Sequence, residues 1–109
     1  MNRDEIRDVV VETVKELRNS GLLRRQDDVA YAEMAVRLYE YYKAPDRDEK
    51  MGEALRKIHG DYYFRILPDF YWDQKTIEQI AASFDCEVST ITRNKKRLCL
   101  HLARITIDD

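Results

Sequence analysis

WDQKTIEQIAASFDCEVSTITRNKKRLCLHLARI, residues 72–105, is the stretch that decides how this chain is read. It divides into a short helix, a tight turn and a longer basic helix. Thr76 can cap the first helix, and Gln79 three residues on completes the Thr-x-x-Gln form of a capping box. Ile77, Ile80, Ala81 and Phe84 then recur at helical spacing. Asp85 stands where the chain must leave that helix, and aspartate is among the few non-glycine residues that tolerate a left-handed backbone.

The helix after Asp85-Cys86-Glu87 is the informative one. Projected at about 100° per residue, Ile91, Leu98, Leu102 and Ile105 fall on one stripe, and Ser89, Arg93, Lys96, Arg97 and Arg104 on the opposite side. One side can pack on the first helix while the other offers cations and a hydroxyl. Residues 89–107 hold five Lys or Arg and no Asp or Glu, whereas residues 1–88 hold 14 basic against 19 acidic. The whole chain carries a formal charge of −2, so its positive charge is concentrated on one helix.

Ile80-Ala81-x-x-Phe84-Asp85-Cys86-x-x-Ser89-Thr90-Ile91 resembles the helix-turn-helix pattern I-A-x-x-L-G-[IV]-x-x-S-T-[IV]. YYFRILPDFYW, followed by TIEQIA and STITRNKKRL, is similar to region 4 of sigma-70-type factors. It is closer to the small ArpU/RinA-like transcriptional regulators of phages and prophages of low-GC Gram-positive bacteria. The resemblance covers roughly residues 50–105. Two positions depart from the pattern: Asp85 replaces the usual glycine, and Glu87 stands where a serine N-cap is common. The second departure moves the expected start of the second helix to Ser89, giving a helix over 89–104, and puts a carboxylate near where phosphates would lie.

Outside that stretch the chain reads as further helices. Asn2 with Glu5 makes a capping box, and Ile6, Val9, Val10, Val14 and Leu17 form the stripe of a helix over 2–20, stopped by Gly21. A second helix from Asp27 or Asp28 to Tyr42 turns Ala30, Met34, Leu38 and Tyr41 inward and ends at Ala44-Pro45. Asp46 with Glu49 suggests another capping box, ahead of Met51, Ala54, Leu55 and Ile58, with Gly60 as the stop. A short helix over 61–66, broken at Pro68, leads into the motif. No strand-like alternation with hairpin turns, repeat or low-complexity tract is present. The expected fold is all-α, a small helical bundle with a C-terminal helix-turn-helix. Residues 1–44 read as an N-terminal helical hairpin for oligomerisation or partner contact, and 46–109 as the DNA-binding domain. The aromatic-rich middle of the chain reads as core filling, with base-stacking platforms as the alternative.

Enzyme chemistry finds no footing. His59 and His101 have no second ligand at metal spacing, and with three glycines no phosphate-cradling loop can be built. Neither a metal nor a cofactor is expected. Cys86 and Cys99, in no CxxC arrangement, read as small packed residues of a reducing compartment. Without a run long enough to span a bilayer, or a signal-peptide pattern, the chain is expected in the cytoplasm with no membrane partner.

What the family resemblance implies is double-stranded DNA as partner, with the second helix in the major groove. Ser89, Thr90, Thr92, Arg93 and Lys96 match the base-reading positions, with Arg93 placed to read a guanine; Lys75, Thr76, Lys95 and Arg97 would hold phosphates. So few cations bind weakly, which points to a homodimer or to RNA polymerase as a second partner; Leu100, which projects onto the side of Arg93 and Lys96, is expected to pack on the N-terminal lobe or on a second protomer. The other readings are a sigma-like factor docked on polymerase and a helical adaptor or antirepressor with no DNA role.

Overall fold

The computed structural model describes residues 26–107, which form five α-helices and one 3-10 turn and contain no strand. The helices are α1 (Gln26–Lys43), α2 (Glu49–Ile58), α3 (Ile66–Tyr71), α4 (Ile77–Phe84) and α5 (Val88–Ile105). The all-helical expectation therefore holds across these residues. The helix expected over 2–20, with its stop at Gly21, lies outside them. No described helix is long and apolar enough to cross a membrane.

Asp27 and Asp28 in the first turn of α1, and Lys43 in its last, complement the helix dipole. The chain leaves α1 at Ala44 and turns through Pro45–Arg47. The cap of α2 is Asp48, not Asp46: its Oδ1 accepts from the Met51 amide at 3.1 Å. The same carboxylate takes both arms of Arg37 from α1, at 2.8 and 3.0 Å, which pins the corner between the two helices. Asp46 instead falls within the 3-10 turn that proline starts.

Pro68 corrects a second expectation. It does not break a helix; it is the third residue of α3. A first-turn proline gives up an amide that has no intrahelical partner there. The carbonyl it would otherwise need, that of Phe64, already accepts from Leu67 at 3.0 Å. Residues 61–65, expected as helix, are a run of turns whose bonds join Asp61 to Phe64 and Tyr63 to Ile66.

Two apolar clusters hold the helices. The larger gathers Met34 and Leu38 of α1, Met51, Leu55 and Ile58 of α2, Leu67 and Tyr71 of α3, and Leu98, Cys99 and Leu102 of α5. The smaller, beneath the helix-turn-helix, joins Ile66, Ile80, Ala81 and Ile91. Across the corner at Pro45, α1 shares this core with α2, α3 and α5. Most of the aromatics serve this packing: Tyr39 meets Tyr71 edge-on at 4.9 Å, and Tyr71 is fully buried. Tyr62, 73% exposed beside Phe84, and Trp72, 45% exposed, are the exceptions. Both cysteines are free; Cys99 is buried and its thiol is pushed up to about 11 by that burial.

Candidate nucleic-acid interface

The site is built on α4, a three-residue turn and α5. Thr76 opens α4 with both halves of the capping box: its hydroxyl accepts from the Gln79 amide at 3.1 Å, and its own amide donates to Gln79 Oε1 at 2.9 Å. The helix closes on Asp85, which is left-handed at φ 53°, ψ 49°. The Cys86 amide reaches back to the Ala81 carbonyl at 3.1 Å and the Asp85 amide to Ala82 at 3.2 Å, the two bonds of a Schellman stop. Glu87 then runs extended, and α5 begins at Val88, one residue before the expected start. The Glu87 side chain makes no cap bond; its Oε2 sits 3.5 Å from Ser89 Oγ. Burial of Ile80 and Ala81 against Ile91 fixes the two helices to each other.

On the first turns of α5, Val88, Ser89, Thr92 and Arg93 are exposed together, one outward face at i, i+1, i+4 and i+5. Thr90 is half-buried, and its carbonyl accepts from Asn94 Nδ2 at 2.8 Å. Among the described residues the Arg93 side chain makes no hydrogen bond or ion pair. Lys96, one turn further on, donates to Asp28 of α1 at 2.9 Å. Arg97 forks onto Asp61 at 2.9 and 3.0 Å and also holds Asn94 Oδ1 at 3.0 Å, with the guanidinium left half-exposed. That pairing holds the Asp61 carboxyl below its ordinary value and raises Arg97. At the head of α4, Thr76 and Lys75 are exposed, the Lys75 ammonium 3.7 Å from Asp69. Glu78, Asp85 and Glu87 are exposed on α4 and the turn, whereas α5 carries no acidic residue.

Lys95 is a correction. Expected on a phosphate, it is 8% exposed and lies inside the main core. Its ammonium donates to the Tyr31 hydroxyl at 2.7 Å and stands 4.2 Å from the Phe70 ring, 5.0 Å from Tyr31 and 5.3 Å from Tyr71. Burial pulls its pKa below the ordinary lysine value. The sequence carried the signal: 91, 95, 98 and 102 are spaced i, i+4, i+7, i+11, so Lys95 sits on the same stripe as Ile91, Leu98 and Leu102. Its charge hid that position. Two other residues were missed. Val88 offers an exposed apolar side chain at the head of α5, and Asp28 reaches the basic helix from α1. Only the fold brings Asp28 there, since 68 residues separate it from Lys96. Leu100 is half-buried and turns toward α1, lining one shallow hollow with Ala30 and Ala103 and another with Arg93, Lys96 and Arg97.

Comparison of the chain with protein-family models, with curated proteins and with solved structures finds no match.

Proposed function

We propose that this chain is a DNA-binding transcription regulator of the phage or prophage kind that residues 50–105 resemble, with the first turns of α5 entering the major groove. The observation that carries the reading is Arg93. It is a cation without a partner among the described residues, on the exposed face that also presents Val88, Ser89 and Thr92 at the start of the second helix of a helix-turn-helix. In that motif the N-terminal residues of the second helix meet base edges. Arg93 reads a guanine bidentately, worth about 1–3 kcal/mol of discrimination. Val88 and the methyl of Thr92 supply apolar contact to thymine, and Ser89 a hydroxyl. Thr76, whose hydroxyl accepts from Gln79 and keeps its own hydrogen to donate, binds phosphate with Lys75 and Arg97. Lys95 leaves the phosphate set because it is core.

So small a set of cations leaves affinity modest at physiological salt. A second protomer or RNA polymerase supplies the rest. The test is anisotropy of a labelled duplex across a salt series. The two phosphates neutralised by Lys75 and Arg97 give a log–log slope of roughly −2. Arg93→Ala is expected to flatten the preference among sites selected from a random duplex library. Absence of duplex binding at low salt would remove the reading and leave a helical adaptor whose basic helix meets an acidic protein.

A further inference from the structure

We infer that α1 is a gate on the DNA face, in which Asp28 occupies the Lys96 ammonium and competes with DNA for it; the inference rests on the DNA reading above. Lys96 lies one turn beyond Thr92 and Arg93 on α5, in reach of the groove-facing side. In the free protein its ammonium is 2.9 Å from Asp28 Oδ1, and both side chains are about one-third exposed, 38% and 32%. A pair that open to water can be exchanged for a phosphate without unfolding anything. Its neighbour Lys95 shows why α1 stands where it does. Lys95 is locked under Tyr31, at 2.7 Å to the hydroxyl, and the same Tyr31 ring lies 6.0 Å from Lys96 Nζ. Tyr31 and Asp28, one turn apart on α1, therefore grip two adjacent lysines of the basic helix. Tyr31 fixes the position of α1, and Asp28 sets how much of the positive face is open. DNA binding must release Lys96 from a carboxylate that already neutralises it, and anything that moves the start of α1 changes the number of cations offered.

The test is a double-mutant cycle on the full chain, read by anisotropy of a labelled mixed-sequence duplex at low salt. Asp28→Asn is expected to tighten binding roughly two- to fivefold, the range of a partly exposed ion pair. In a Lys96→Ala background the same substitution is expected to change little, because the competitor has lost its target. Asp27→Asn, which removes the same charge one residue away and from the same first turn of α1, controls for distant electrostatics and is expected to give a smaller gain. Equal gains from Asp27→Asn and Asp28→Asn, or a gain that survives Lys96→Ala, overturn the gate. Wild-type binding that Asp28→Asn leaves unaltered sinks the gate alone, whereas no duplex binding by any variant sinks the DNA reading itself. As a check independent of DNA, NMR of the lysine side chains is expected to show the Lys96 ammonium protected in the wild type and released in Asp28→Asn. An ammonium that exchanges equally fast in both overturns the gate as well.

Discussion

Replacing Lys95 with methionine separates the two roles that a lysine at this place on α5 could have. The side chain is 8% exposed, and burial of its four methylenes is worth about 3 kcal/mol at about 0.8 kcal/mol each. Against that stands the ammonium, whose removal from water costs several kcal/mol. A hydrogen bond to a charged group returns about 1.5–3 kcal/mol and a desolvated cation–π contact about 2 kcal/mol. The Tyr31 hydroxyl at 2.7 Å and the Phe70 ring at 4.2 Å supply these. Burial still holds the ammonium below its ordinary pKa, so the charge is on balance a burden on the fold. Methionine keeps the length of the stem, presents sulfur to the same rings and removes the charge. Lys95→Met is therefore expected to leave stability unchanged or to raise it by about 1 kcal/mol. Lys95→Ala, which loses the methylenes and leaves a void, costs about 2–3 kcal/mol. Urea unfolding followed by circular dichroism reads both. A Lys95→Met protein as unstable as Lys95→Ala would refute the reasoning, because the ammonium and not the stem would then join α1 to α5. On DNA the methionine variant is expected to keep the wild-type salt slope; a slope shallower by about 0.9 would return Lys95 to the phosphates.

Asp85→Gly is expected to raise stability by about 0.5–1 kcal/mol in thermal melts, since glycine holds φ 53° without strain; Asp85→Val lowers it. Asp48 is held below its ordinary carboxyl value, first by the Arg37 hydrogen bonds and then by the Met51 amide. A depressed folded pKa means stability present above the unfolded value and lost as pH falls through the folded one. Asp48→Asn, which can still cap α2, should therefore flatten the acid limb of a stability–pH curve below about pH 4. Glu87→Gln removes an exposed carboxylate beside Ser89 and should tighten duplex binding at low salt with little change in melting temperature, measured by anisotropy and calorimetry.

The helices were legible wherever local signals decide them. Thr76 with Gln79, the left-handed Asp85 and the stop at Pro45 each act within a few residues, and each stands where the sequence puts it. The capping residue of α2 was misread because Asp46 has Glu49 three residues on, the capping-box spacing that Asp48, followed there by Met51, lacks. The choice fell to Pro45, which started its own turn, and to Arg37, eleven residues away. Pro68 was read as a break because a proline's effect depends on whether it lies in the first turn, which sequence does not fix to the residue. At the site, the exposure of Ser89 and Arg93 followed from helical projection, and that of Thr92 from the motif positions it resembles. What projection could not supply is partnership across the chain: Asp28 on Lys96, Asp61 on Arg97 and Tyr31 over Lys95. Those pairings sort the five cations of one helix into two without a partner among the described residues, Arg93 and Arg104, one shared, one engaged and one buried.

The central claim, that the first turns of α5 meet DNA, is tested most directly by NMR titration of the isotope-labelled chain with a selected duplex. Amide shifts at 88–93 and at Thr76, with the core amides of Leu98 and Leu102 unmoved, are the expected result. Shifts confined to other surfaces, or none at saturating duplex, would contradict it.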